Sequence, residues 1–234
     1  ECAAKVRLAS QNGSDVIKIT ATGGVLSQQG RGLEAHFTPA EMKAIADTAH
    51  SLGLKVMAHA HGARGIQQAA EAGIDSIEHG TYLDEAAAKA MKASGTVLVP
   101  TLMALEGVSE GLGKGVYTPV VEDKIRAVQP LMASLVSRAR QYGVTVAFGT
   151  DAGVYQHGRN AEELGLMKKQ GMTDREVLAS ATTVAAKVLG MENQIGKLAP
   201  GYSADIIAVD GNPLADVTVL EEVDFVMVRG RVIE

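Results

Sequence analysis

Asp15-Val16-Ile17-Lys18-Ile19-Thr20, followed by Ala21-Thr22-Gly23-Gly24, decides how the rest of the chain is read. It has the form of a short apolar strand with one lysine near its end, running into a glycine turn. Alternation along a strand puts Val16, Lys18 and Thr20 on one face and Ile17 and Ile19 on the other. Lysine is rarely buried without a partner. If both faces are covered, Lys18 points into an interior and must be neutralised, paired or chemically modified. If one face is open, it reaches solvent at the strand end.

The same unit recurs outward from this stretch. Residues 2–12 have a helical pattern that stops at Asn12-Gly13. Residues 21–37 are rich in Gly and Gln and have no periodicity, a length that points to function or mobility. Thr38-Pro39-Ala40-Glu41 opens a helix, with Thr38 as its cap, Pro39 at the first position and Glu41 at the third. That helix ends before Gly53, and Leu54–His59 is the next strand. A helix over 63–72, a strand over 74–79, a helix over 84–94 and a strand over 96–100 follow. Residues 102–119 read as a second long loop, 120–142 as one long helix and 144–149 as a fifth strand. Helices are expected at about 160–170 and 174–189. After Gly196 the pattern becomes β: strands at 204–209 and 224–229 and a final strand at 232–233. Two domains are therefore expected, 1–195 and 196–234. Strands alternating with Gly-capped helices are the signature of a parallel sheet. A (β/α)₈ barrel and an open doubly wound sheet both satisfy it, although five units are too few to close a barrel.

Composition removes several function classes. The 234 residues carry a net charge of −5 and no Trp. With no basic stripe and no stacking aromatics, nucleic acid is not an expected partner. No apolar run approaches the roughly 18 residues of a membrane span, so no membrane partner is expected. The single cysteine excludes an internal disulfide. No signal peptide is visible. Glu1 opens directly in a helical pattern, which is expected of a processed chain or a segment of a larger one.

Lys18, His59 (with His61 just beyond), His79 and Asp151 stand at the C-terminal ends of four different strands. In parallel α/β folds that end carries the chemistry. One such histidine is usually structural; four ligand-type residues at equivalent places are not a coincidence. Two imidazoles and a carboxylate suit Zn²⁺ or a similar divalent ion. An ammonium is a poor ligand, but a neutral lysine can take up CO₂ to form a carbamate, which is a bridging carboxylate.

The segments Val16–Gly24, Met57-Ala58-His59-Ala60-His61-Gly62, Ser76-Ile77-Glu78-His79-Gly80 and Phe148-Gly149-Thr150-Asp151-Ala152-Gly153 resemble the amidohydrolase superfamily. More narrowly, they resemble its binuclear-zinc Xaa-Pro dipeptidase and imidazolonepropionase-like branch. Gly196–Ile206 is similar to that superfamily's C-terminal β-sandwich. The resemblance implies strands 4–8 of a (β/α)₈ barrel plus sandwich strands, and hydrolysis of an N-acyl amino acid or dipeptide by a metal-bound hydroxide. It implies Lys18 as the carbamylated bridge, His59 and His79 on the second metal, and Asp151 as ligand of the first metal and general base. His61 is a candidate catalytic or substrate-holding group, with a capping or supporting histidine as the other reading, and Tyr155 and Arg159 are substrate-side candidates, with His157 in the same loop. His36 is a weaker candidate, and His50 is expected to be a solvated surface residue. Two Zn²⁺ are expected per complete site. A His-x-His pair normally precedes the lysine and is lacking here. A missing N-terminal segment or companion chain is therefore expected to supply it, and a half-barrel is expected to oligomerise. Cytoplasmic placement is expected, or a periplasmic or secreted one if a signal peptide precedes. The same metals could also open a cyclic amide or lactone. A deaminase is disfavoured by Lys18, and a non-catalytic half-barrel or a flavodoxin-like module are the other readings.

Overall fold

The structure, a computed structural model, describes residues 1–28 and 32–233. Residues 29–31 of the Gly- and Gln-rich loop lie outside the described residues. The chain divides into two compact units, one of residues 1–100 and 108–146, the other of 101–107 and 147–234.

The first unit is a four-stranded parallel sheet in the order β1 (Val16–Thr20), β2 (Lys55–Ala60), β3 (Ser76–His79), β4 (Val97–Val99). Helices α1 (Cys2–Gln11), α2 (Pro39–Ser51), α3 (Ala63–Glu71) and α4 (Glu85–Ser94) precede or connect the strands. The expected start of α2 is present as a full capping box: Thr38 N–H donates to Glu41 Oε2 at 2.8 Å and Glu41 N–H donates to Thr38 Oγ1 at 3.3 Å. Register sets the faces. Lys18 lies beside Met57, which lies beside Ser76; Thr20 lies beside His59, which lies beside Glu78. Ile17, Ile19, Val56, Ala58 and Ile77 point the other way and form the core. Val16, Lys18 and Thr20 are exposed, so only one face of β1 is covered.

Three expected elements differ. The fifth strand, over 144–149, reduces to a single parallel bridge between Leu98 and Val146. Past that point the ladder stops because Phe148 N–H donates to the Ser180 carbonyl at 3.1 Å. The helix expected over 120–142 is two helices, α6 (Pro119–Met132) and α7 (Leu135–Tyr142). Pro130, in the last turn of α6, has no N–H to give and crowds the preceding turn. Residues 102–119 are not a loop throughout, since α5 covers Leu102–Ser109. His50 is not merely solvated: its Nε2 lies 2.8 Å from Asp75 Oδ2, and Lys55 Nζ holds Oδ1 at 2.8 Å.

The second unit holds α8 (Glu162–Lys169), α9 (Asp174–Ala179), a π-helical segment over Ser180–Val184, and α10 (Ala185–Val188). It also holds an antiparallel sheet of β5 (Ile206–Ala208), β6 (Phe225–Val228) and β7 (Arg231–Ile233). Its internal anchor is Glu163, whose side chain is fully buried. The Glu163 carboxyl accepts from the first two N–H groups of α5, Leu102 at 2.9 Å and Met103 at 2.7 Å. A helix start left without such partners would bury unsatisfied donors. Among the described residues no helix is long and apolar enough to cross a membrane.

Burial pushes the Glu163 carboxyl up to about 8, against the two backbone hydrogen bonds that favour its charged form. The folded state therefore holds a proton that the unfolded state has lost. Stability from this group is full below the ordinary carboxylate value and falls as pH rises toward 8. Glu163→Gln should flatten that decline in urea titrations between pH 5 and 8. It should also cost about 1–3 kcal/mol at pH 5, because an amide can satisfy only one of the two donors. An unchanged pH slope would show that Glu163 does not carry it.

Candidate metal centre

Three histidines meet at the C-terminal edge of the first unit's sheet. The ring centroids of His59 and His61 are 4.6 Å apart, those of His59 and His79 4.6 Å, and those of His61 and His79 4.8 Å. One ligand nitrogen from each lies within 4.8 Å of the others. His59 is half-buried, while His61 and His79 are buried.

Each ring arrives by a different route. His59 sits in β2 and faces the same side as Lys18. His79 closes β3 one residue after Glu78, so plain alternation would turn it to the opposite face. It instead adopts a left-handed backbone, φ 71°. A non-glycine residue there costs about 1–3 kcal/mol and persists only when its surroundings demand it. The turn brings the ring to His59. Asp151, the ligand expected in the second unit, shares this feature with φ 52°.

His61 lies just past β2 and is held at three points. Its N–H donates to Thr22 Oγ1 at 2.9 Å, its carbonyl accepts from Tyr82 N–H at 3.0 Å, and its Nδ1 lies 2.7 Å from Thr81 Oγ1. The loop after β1 builds this seat. Thr22 and Ala35 form an antiparallel bridge, and Gly62 N–H donates to the Leu33 carbonyl at 3.1 Å. The returning chain passes so close that a Cβ on Gly23 would stand 2.1 Å from the Gly32 carbonyl oxygen, and one on Gly62 2.5 Å from that of Leu33. Lys124 of α6 clasps the loop by donating to the carbonyls of Gly24 at 3.3 Å and Ser27 at 2.6 Å.

The electrostatics favour neutral ligands. Burial, and then the neighbouring rings of His79 and His59 and the Lys124 ammonium, hold His61 well below the usual imidazole range. Burial, with His59 and Lys18, holds His79 down at about 3. A buried set of neutral imidazoles fits a divalent transition metal, which needs their lone pairs.

The remaining candidates are placed as follows. Lys18 is exposed on the His59 face of β1. In the second unit Asp151 is half-buried, and Asn160 donates to the preceding Thr150 Oγ1 at 3.2 Å. Tyr155 is buried, and a Cβ on Gly107 would stand 2.3 Å from its own Cβ. Arg159 gives its fork to Glu162, Nε to Oε1 at 2.7 Å and Nη2 to Oε2 at 2.9 Å. It borders a cavity of about 660 Å³ with Met103, Lys169 and Glu221. His157 and His36 are exposed. Sequence reasoning missed Thr22 and Thr81, which are fully buried polar residues holding His61. Thr81 stands two positions beyond His79 and Thr22 four beyond Lys18, so no common spacing marks them.

In a parallel α/β unit the C-terminal strand ends are where functional side chains converge, and three imidazoles converge there in this chain. Comparison narrows the class: residues 1–233 match the model of the Amidohydrolase family, and the chain belongs to it. It is similar to ochratoxinase of Aspergillus niger, 36% identical over 219 residues, 93% of this chain and 45% of that enzyme. It is also similar to imidazolonepropionase of Hahella chejuensis, 34% identical over 182 residues, 74% of this chain and 40% of that one. Among solved structures it matches a Xaa-Pro dipeptidase with methionine bound in the active site, with TM-score 0.95 and 41% identity, over 100% of this chain and 58% of that one. The chain thus spans about half the length of the relatives it matches.

In the metal-free protein the ring protons of His61 and His79 should not titrate between pH 5 and 8. The unfolded state, with ordinary imidazoles, takes up protons below about 6.5, so stability should fall as pH drops from there toward 3. Histidine-selective NMR checks this. A midpoint near 6.5 for either ring would contradict the burial argument.

Proposed function

We propose that this chain carries the metal-binding half of a metal-dependent hydrolase that cleaves the amide bond of an N-acyl amino acid or dipeptide. The observation that carries the reading is the cluster of His59, His61 and His79 at the strand ends of a family member, two of its rings buried and held neutral. The likeness to the dipeptidase and to ochratoxinase supports a peptide-like amide. On this reading the four strands of the sheet and the bridge segment at Val146 correspond to strands 4–8 of a (β/α)₈ barrel, and residues 196–234 to sandwich strands.

His59 and His79 would hold one Zn²⁺, and Lys18, as its CO₂-derived carbamate, would bridge to a second. The second ion's other ligands would be Asp151 and a His-x-His pair supplied from outside this sequence. When bound, the ions supply Lewis-acid polarisation of the scissile carbonyl and lower the pKa of water. The chain's own residues do the rest. Asp151 takes the proton of the attacking water on a carboxylate oxygen and delivers it to the leaving amine nitrogen. His61, fixed by Thr22, Tyr82 and Thr81, presents one ring nitrogen to the same cluster. Tyr155 and Arg159 are assigned to the substrate side, where Arg159 would exchange Glu162 for a terminal carboxylate. The active protein is assigned as an oligomer. A second reading, with a cyclic amide or lactone as substrate, draws on the likeness to imidazolonepropionase.

The test uses the protein together with the segment or chain that supplies the His-x-His pair, with metal analysis and a dipeptide panel. Two Zn²⁺ per site and chelator-sensitive hydrolysis are expected. Asp151→Asn should lower kcat by about 10²–10⁴-fold. Lys18→Ala should abolish activity, and short carboxylates should restore part of it. Full activity of Lys18→Ala without added carboxylate would overturn the bridge. Less than one tightly bound metal with no hydrolysis would overturn the enzyme.

A further inference from the structure

The cluster reading leaves open which nitrogen of His61 bears the proton, and that choice decides what the ring can do. With the proton on Nε2, His61 would donate to a substrate oxygen. With the proton on Nδ1, Nε2 offers a lone pair, as a ligand or a proton acceptor.

We propose that Thr81 is a positioning residue that holds His61 as the Nδ1–H tautomer and so presents the Nε2 lone pair to His59 and His79. The inference rests on the metal-centre reading for its purpose, but not for its geometry. Thr81 is fully buried, 0% exposed, and its hydroxyl touches two groups. It lies 2.7 Å from His61 Nδ1 and donates to Met132 Sδ at 3.3 Å. A hydroxyl has one proton. On this proposal the proton points to the sulfur, which leaves Thr81 Oγ1 to accept from His61 Nδ1–H, so that both contacts are hydrogen bonds at once.

The frame around Thr81 allows little else. Its carbonyl accepts from Arg138 Nη2 of α7 at 2.8 Å. Tyr82 N–H, the next donor along, is taken by the His61 carbonyl at 3.0 Å. Residues 81 and 82 therefore grip His61 from side chain and backbone together, while α6 and α7 hold them from behind through Met132 and Arg138. Ligating histidines commonly have their second nitrogen fixed in this way, and loss of such a partner typically lowers metal affinity by about 10–100-fold.

The experiment compares wild type with Thr81→Val, Thr81→Ser and Met132→Leu in the full chain. It reads the ¹⁵N shifts of the His61 ring without metal, and Zn²⁺ affinity separately. Wild type should show the Nδ1–H tautomer. Thr81→Val, isosteric but without an acceptor, should lose it, and Zn²⁺ affinity should fall by about 10–100-fold. Thr81→Ser should restore both. Met132→Leu frees the hydroxyl proton to turn to Nδ1 and should move the ring toward Nε2–H with Thr81 still present, which keeps the test alive if Thr81→Val does not fold. An Nε2–H ring in wild type, or an unchanged tautomer in the folded Thr81→Val or Met132→Leu chain, overturns the proposal. The intended tautomer together with no measurable Zn²⁺ binding would instead overturn the metal centre and leave the positioning role standing.

Discussion

Three imidazoles can share so small a space only while no two of them are charged together. Two protonated rings at the 4.8 Å spacing of His61 and His79 would repel by about 3–4 kcal/mol even at an effective dielectric near 20. Burial reinforces the same state at His61 and His79, since it penalises the charged form of those two rings. A neutral, crowded, desolvated set of lone pairs is what a divalent metal takes up. The repulsion that forbids two protons is thus the converse of the attraction for one cation. The tight loop returning past Gly23 and Gly62, the left-handed turn at His79 and the clasp by Lys124 all hold that arrangement in place.

The strand ends were legible because parallel βα units place chemistry there by rule. The meeting of His59 and His79 could be read from position alone, as could the capping box at Thr38 and Glu41. The face on which His79 lies could not. Period-2 alternation puts it opposite His59, and only the positive φ reverses that. Sequence pattern carries the average strand, not a local left-handed residue. Nor was the seat of His61 visible. Thr22 lies 39 positions from His61 and Thr81 20 positions, and a threonine beside a glycine turn reads as ordinary turn chemistry.

The errors along the chain share a cause. Helix α5 has a loop-like sequence because its start is capped by Glu163, 60 residues further on, and no local cap signals it. Residues 144–149 were read as a strand because their composition is β-like, yet Phe148 spends its N–H on Ser180 and the ladder ends. In each case a tertiary hydrogen bond overrode a local preference. Pro130 is the exception, since the break after α6 is a local effect that the residue itself announces.

The position of the cluster within the chain bears on how it can work. His59, His61 and His79, with Thr22 and Thr81 behind them, all fall inside residues 1–100 of the first unit. Their register is set by β1, β2 and β3 pairing in order, with one helix between successive strands. The strand pairing within that unit is therefore what sets the imidazoles beside one another. The cost of ordering the rings, and of the strained turn at His79, is met by burial of Val56, Ala58, Ile66 and Ile77 rather than by the metal. A metal entering such a site gains its full coordination energy without first collapsing a loop. The groups at the strand ends are then left to specify which chemistry follows, rather than to hold the fold.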